Sequence, residues 1–177
     1  AQLRAGYLYA TRKADVDTGP RVLPEVDAVD AGITAQFVYD TRDAAFAPTR
    51  GLAATVEYMY TDDSLGADRD WQRLEAGARF ALPLRGDVIW LAAAGGSNLG
   101  SDLPPDRFFT LGGPGSFPGF ELAQFRAPEY WTVSGSYLWK FADIQTLRGE
   151  SMYIGAQIQG GAIANWLEGL QIGPDGP

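Results

Sequence analysis

The sequence predicts an all-β fold, an antiparallel meander of about seven long strands. Three observations carry that prediction. Apolar and polar residues alternate with the period of two that a strand with one apolar face requires, in segment after segment. Glycine makes up 22 of the 177 residues and aromatic residues 12%, a composition suited to many turns and to rings at an interface, and foreign to a helix bundle. The connections between the alternating segments divide into short turns and long loops.

The elements can be justified in order. Residues 3–12 place Leu3, Ala5, Tyr7 and Tyr9 on one face and Arg4 and Gly6 on the other, where Leu8 interrupts the polar side. Residues 31–40 set Ala31, Ile33, Ala35, Phe37 and Tyr39 against Gly32, Thr34, Gln36, Val38 and Asp40. Residues 52–60 set Leu52, Ala54, Val56, Tyr58 and Tyr60 against Thr55, Glu57 and Met59. Residues 71–82 carry Leu74, Ala76, Ala78, Phe80 and Leu82 opposite Arg73, Glu75 and Arg79. Leu74, Ala78 and Leu82 also fit a helical spacing, but Gly77 and the cleaner alternation favour a strand. Residues 88–96 are apolar on both faces, the pattern of a doubly buried strand. Residues 131–141 set Trp131, Val133, Gly135, Tyr137, Trp139 and Phe141 against Thr132, Ser134, Ser136, Leu138 and Lys140, and residues 152–162 set Met152, Ile154, Ala156 and Ile158 against Gln157 and Gln159. Residues 44–50 and 83–87 are short turns, 61–70 is longer and acidic, and 97–128 is very long and rich in glycine and proline. Short turns at one end and long loops at the other are the arrangement of outer-membrane barrels.

An apolar strand face meets either a core or lipid. In a soluble lipocalin-like barrel that binds a small apolar ligand it points inward; in a membrane barrel it points outward and the polar face lines the lumen. Tyr58, Tyr60, Trp71, Trp131, Trp139 and Phe141 sit at or near strand ends, where aromatic girdles lie, although strands favour such residues anyway. Strand length adds weight to the membrane reading: about eleven residues tilted by ~40° cover ~28 Å, enough for an apolar band of ~25 Å. No segment supplies the ~20 apolar residues of a transmembrane helix, and Ala1-Gln2-Leu3-Arg4 lacks the features of a signal peptide. The 14 basic and 22 acidic residues give a net charge of −8, which argues against a nucleic-acid surface.

Enzyme chemistry finds little support. Histidine and cysteine are both absent, which removes the Ser-His-Asp triad, thiolate nucleophiles and the usual zinc ligands. Gly95-Gly96-Ser97-Asn98-Leu99 fails as a nucleophile elbow at Leu99, and Gly113-Pro114-Gly115 with Pro118 is no phosphate loop. Asp62, Asp63, Asp68 and Asp70 offer oxygen ligands, but Ala67 and Arg73 stand where a calcium loop needs glycine and glutamate, so they read as a solvated acidic loop. Catalytic, metal and cofactor sites are therefore all assigned as none.

Two stretches carry a resemblance. Tyr39-Asp40-Thr41-Arg42-Asp43, followed by Pro48-Thr49-Arg50-Gly51 leading into a strand, and Arg107-Phe108-Phe109-Thr110-Leu111-Gly112-Gly113, followed by Ser116-Phe117-Pro118-Gly119-Phe120, resemble the turn and the long-loop motifs of the bacterial surface antigen barrels. That superfamily includes barrel-assembly insertases and two-partner-secretion transporters. Residues 157–166 (QIQGGAIANW) are similar to the strand end that follows. Within the superfamily the chain most resembles the barrel of patatin-like phospholipase autotransporters, any lipase domain lying outside this chain.

The resemblance implies a bacterial outer-membrane location and a C-terminal-half piece of a larger barrel. It also implies a role in membrane anchoring, with translocation of a passenger polypeptide as a further role. The implied partners are the lipid bilayer, the remaining barrel strands and N-terminal domains outside this chain, and the passenger; nucleic acid is not among them. The loop over 97–128 is expected to fold back into the lumen, and Phe108, Phe109, Leu111, Phe117 and Phe120 are independently too apolar to be freely hydrated. Pro118 stands where the family has a loop arginine, and proline cannot make a guanidinium–carboxylate contact with the barrel wall. That departure weighs against an arginine-dependent secretion or insertase mechanism.

The candidate residues fall into three groups. The loop motif comprises Arg107, Phe108, Leu111, Gly112, Gly113, Ser116, Gly119 and Phe120. The turn motif comprises Tyr39, Asp40, Arg42, Asp43, Pro48 and Gly51, whose charges also read as ordinary turn chemistry with surface ion pairs. Glu57, Arg73, Glu75 and Arg79 are expected to face the lumen, either as pore lining or as mutually paired plug charges. Residues 1–177 are taken as one partial barrel domain. Its strands 3–12 and 152–162 are expected to be open edges that do not pair, with the closing Gly173-Pro174-Asp175-Gly176-Pro177 as turn chemistry.

Overall fold

The structure is a computed structural model that describes residues 1–14, 26–113, 116–144 and 150–164. Gly115, the Asn165 and Trp166 that end the third motif, and the terminal Gly-Pro-rich turn lie outside the described residues. In chain order the strands are β1 (Gln2–Ala14), β2 (Val26–Asp40), β3 (Gly51–Thr61), β4 (Trp71–Leu84), β5 (Asp87–Ser97), the short β6 (Phe109–Leu111) and β7 (Phe125–Ala127), β8 (Glu129–Ile144) and β9 (Glu150–Ala164). A seven-stranded antiparallel sheet runs β1-β2-β3-β4-β5-β8-β9, and β6 pairs with β7 in a separate hairpin inside the long loop. β1 and β9 stand at its two ends, so the sheet is an open wall as expected. No helix among the described residues is long and apolar enough to cross a membrane.

Register converts the alternation into faces. Phe37 opposes Val56, Val56 opposes Ala76, Phe80 opposes Leu91, Ala93 opposes Val133, and Gly135 opposes Ile158. The apolar sets of neighbouring strands therefore fall on one side of the sheet, because side chains of paired residues share a face. That side is convex and uncovered over most of its extent: Leu3, Tyr7, Ile33, Phe80, Leu91, Val133, Trp139, Ile154 and Ile158 are all exposed, while Ala31 is buried beside the 61–70 connection. The polar sets lie on the concave side, under the long loop. A soluble lipocalin-like barrel requires the opposite arrangement.

Several expectations need correction. Residues 88–96 are not doubly buried: Val88 is 2% exposed, but Leu91 on the other face is 49% exposed. Trp71 belongs to no girdle; it is 2% exposed and forms a core cluster with Leu103 and Phe109, against which Met59, Phe108 and Tyr130 pack. It sits on the same face as Arg73 and Glu75, which points it inward. β2 begins at Val26, earlier than the alternation suggested, because Asp27 and Asp30 interrupt the apolar count while the backbone still pairs Arg12 with Ala28 and Ala10 with Asp30. β8 has a bulge between Lys140 and Ala142, which a strict period of two does not anticipate. The β6–β7 hairpin is missed because three residues are too few to show a period.

Candidate functional site

The concave face and the loop over it define the site. A cavity of about 670 Å³ lies between them. Its walls are Glu75 and Arg79 from β4, Trp90 from β5, Thr132, Ser134 and Ser136 from β8, and Gln157 and Gln159 from β9, with Leu111 and Ser116 closing it from the loop. One side is thus charged and the other carries uncharged hydroxyl and amide groups.

The predicted lumen charges are on this face, and most are paired. Glu75 accepts the Tyr130 hydroxyl at 2.7 Å and Arg73 at 2.8 Å. Arg73 also donates to the Arg107 carbonyl at 3.3 Å and lies 4.1 Å above the Phe109 ring. Glu57 opposes Glu75 in register, a like-charge pair relieved on one side by Gln36, which donates to Glu57 at 3.2 Å, and on the other by Arg73. Arg79 makes no ion pair among the described residues and faces the cavity. Arg73 and Glu75 are therefore paired beneath the loop, and Arg79 lines the cavity.

The loop motif holds the loop in shape and against the wall. The Gly112 amide donates to the Ser116 hydroxyl at 2.8 Å, and that hydroxyl donates back to the Gly112 carbonyl at 3.2 Å. Gly112 has φ +123°, and a Cβ there would lie 2.1 Å from the Glu121 carbonyl oxygen, so only glycine fits this turn. Gly113 bridges to Phe117 and donates to the Phe120 carbonyl at 3.1 Å. Phe120 stacks edge-on against Phe117 and Phe125, at 5.9 and 4.9 Å between centroids. The Gln159 amide donates to the Ser116 carbonyl, tying the loop to β9. Leu111 is buried at 3% and Phe108 packs on the Trp71 cluster. On the wall side Gly96 makes room: a Cβ there would stand 2.5 Å from the Phe109 ring.

The turn motif lies at the other end of the sheet and is satisfied locally. Arg42 pairs with Asp40 at 2.8 Å and donates to the Ala45 carbonyl at 3.3 Å. Asp43 accepts the Thr49 amide at 2.9 Å, the Arg50 amide at 3.3 Å and the Thr49 hydroxyl. The Thr49 hydroxyl above all holds the Asp43 carboxyl below its ordinary pKa, against the opposing effect of burial and with the help of the Arg50 and Thr49 backbone amides. The Pro48 carbonyl accepts the Trp90 indole N–H at 2.8 Å, Tyr39 is partly exposed on the convex face, and Gly51 opens β3.

The acidic loop bonds partly to itself and partly to β2. Asp62 caps a single 3₁₀ turn (Asp63–Leu65), accepting the Ser64 amide at 3.0 Å and the Ser64 and Tyr60 hydroxyls. The Ser64 hydroxyl first and Tyr60 second lower its carboxyl to about 2. Asp70 accepts the Asp63 amide at 2.8 Å and Asp68 the Val29 amide at 2.6 Å. Asp62, Asp63 and Asp70 cluster within 4.8 Å, and the bonds above make the Asp62 and Asp70 carboxylates part of the loop scaffold.

One group escaped the sequence reading. Asp30 has no exposed surface, and it accepts Arg107 and the Trp71 indole N–H, the latter at 3.1 Å. Arg12 and Arg69 stand 3.7 and 3.6 Å from it and reach Asp106 at 3.2 and 2.9 Å. Arg107 carries the loop to the wall although Pro118 cannot. The available signal was parity: extending the alternation of β1 and β2 places Arg12 and Asp30 on the concave face.

Comparison with curated proteins finds no match to this chain. A family model does match, that of the Omp85 superfamily domain, over residues 12–155. The match spans β2 to β8 with the turn motif, the charges of the concave face and the whole loop. Domains of this kind are typically bacterial outer-membrane β-barrels, and the proteins that carry them are transporters and insertases. The open antiparallel wall with its apolar outside, its polar inside and its inward loop is thus the structure of a chain that belongs to the Omp85 superfamily.

Proposed function

We propose that the chain is a wall of a bacterial outer-membrane barrel that anchors the protein in the lipid bilayer and encloses a loop-plugged passage for a passenger polypeptide. The observation that carries the reading is the division of faces: a convex side that is apolar across the whole sheet and a concave side that is polar. An exposed apolar surface of that extent is out of place in water and suited to hydrocarbon. β4 has 14 residues, which at ~3.4 Å each and a tilt of ~40° span about 36 Å, more than the apolar band needs.

The edges support a further step. In lipid each unpaired backbone group costs several kcal/mol, so β1 and β9 need partners there. In a seven-stranded antiparallel meander the first and last strands run in the same direction. A second copy in the same membrane orientation would bring β9 to β1 in parallel. A complement that keeps every pair antiparallel supplies an odd number of strands, which makes the total even, as in bacterial barrels generally. Further barrel strands are therefore the partners that fit. The branch resembling patatin-like phospholipase autotransporters fits a passage whose loop lacks arginine at Pro118.

The test is a pair of arginine substitutions on adjacent residues of β8. In the barrel completed by its further strands, Val133→Arg places a charge on the convex face and lowers insertion into phospholipid vesicles by about 2–4 kcal/mol if it sits near the bilayer midplane. Ser134→Arg, on the concave face, leaves insertion unchanged. Equal tolerance of the two overturns the membrane reading.

A further inference from the structure

We propose that Arg79, with the Ser134 and Ser136 hydroxyls across from it, forms a binding site inside the cavity for a small oxyanion, a carboxylate or phosphate group. Register sets the geometry. Arg79 pairs with Ala92 and Ala92 with Ser134, while Trp90, the next residue of β5 on that face, pairs with Ser136. The guanidinium and the hydroxyls therefore rise from strands two places apart, about 10 Å between backbones. Only Ala92 stands between Arg79 and Ser134 in that row. Ala53 flanks Arg79 on its other side, so the floor around it is built of small side chains. The space above this floor belongs to the cavity of about 670 Å³.

The charges that line the cavity do not cancel. Glu75 is matched by Arg73 and the Tyr130 hydroxyl, and Arg42 by Asp40. Arg79 has neither an ion pair nor a hydrogen bond among the described residues. One unmatched cation thus stands inside a chain whose net charge is −8. The Ser134 and Ser136 hydroxyls likewise have no hydrogen-bond partner among the described residues. Donors on both sides of Ala92 are therefore free at once. An oxyanion accepts from a guanidinium and from hydroxyls together, whereas Arg79 repels a cation. The other hollow of the concave face has no such bias, because Arg4 shares it with Glu57. The anion comes either free from solution or as the acidic side chain of a polypeptide in the cavity. The site stands whether or not a passenger is carried.

The test is titration calorimetry on the barrel completed by its further strands, in detergent micelles, with circular dichroism confirming the sheet in each variant. Two probes separate the sources: inorganic phosphate, and a short Glu-rich peptide beside its Gln counterpart. Saturable binding of phosphate alone identifies a free anion, and binding of the Glu peptide without its Gln counterpart identifies an acidic side chain. Arg79→Gln is expected to weaken binding about tenfold or more. Arg79→Lys, which keeps the charge and loses the planar fork, weakens it less. Ser134→Ala weakens it about two- to tenfold, and Arg4→Gln leaves it unchanged. A thiol locates the site. The chain has no cysteine, so Leu111→Cys places one in the loop-side wall of the same cavity, at a position only 3% exposed. The bound probe should slow its labelling by a water-soluble maleimide in the parent and not in Arg79→Gln. A completed barrel that inserts into vesicles yet binds neither probe overturns the site and leaves the membrane reading standing. Equal losses at Arg4 and Arg79, or labelling that the bound probe does not slow, also overturn it.

Discussion

The turn at 41–50 and the loop over 97–128 occupy opposite ends of the sheet, and both carry family motifs, yet they are held in opposite ways. The turn satisfies its carboxylates with its own residues. Asp40 meets Arg42 and Asp43 meets Thr49 and Arg50, partners at most seven positions apart. The loop is held by residues far away in the chain: Arg107 by Asp30, Asp106 by Arg69, and Ser116 by Gln159. A self-satisfied turn sets the register of β2 on β3 as soon as those residues meet, and it survives changes elsewhere. A loop docked through distant partners has no such independence, and its position is a property of the whole wall.

The contrast breaks most sharply at the aromatic residues. Phe109 in the loop is 1% exposed and packed on Trp71 and Tyr130. Phe109→Ala is expected to cost about 3–5 kcal/mol of loop docking. Phe46, at the tip of the turn, is 99% exposed, and Phe46→Ala should change stability by no more than about 0.5 kcal/mol. Equilibrium urea unfolding in micelles, followed by Trp fluorescence, measures both. Comparable losses at the two positions would mean that the turn tip is covered in the assembled protein.

Gly96 sharpens the same point from the wall side. The added methyl of Gly96→Ala would stand 2.5 Å from Phe109 and 2.7 Å from Tyr130. Overpacking of that kind costs about 1–3 kcal/mol. The signature is specific, because the loop should become more accessible to the maleimide at Leu111→Cys while the Asp43 turn keeps its pH profile. A variant as protected as the parent would show that the Phe109 ring can slide aside.

Legibility in the sequence follows the same division. The strands and their faces were readable because alternation is local, and the open edges followed from the strand count. The turn motif was readable because Asp43 and Thr49 lie within one connection. The loop's inward course was readable from its apolar residues, but its anchorage was not. Asp30 looks like a break in the apolar pattern of V-D-A-V-D, and nothing local connects it to Arg107, 77 positions away. Trp71 shows the same limit: an aromatic at a strand end fits a girdle or a core equally well until the concave face gains a cover.

The smallest expected effect is in the turn, and pH isolates it. The hydrogen bonds from Thr49 and Arg50 depress the Asp43 carboxyl below its ordinary value, so the folded turn binds a proton less readily than the unfolded chain. The stabilisation is complete above the unfolded carboxylate value of about 3.9 and is lost as pH falls through the lower folded value. Asp43→Asn removes the titrating group and should flatten that part of the stability profile. It should leave maleimide labelling at Leu111→Cys unchanged, because no bond in the turn reaches the loop. Acid difference profiles of parent and variant, with labelling in parallel, test both halves. A change in loop labelling would mean that the two ends of the sheet are coupled through Trp90, which donates to the Pro48 carbonyl and lines the cavity beneath the loop.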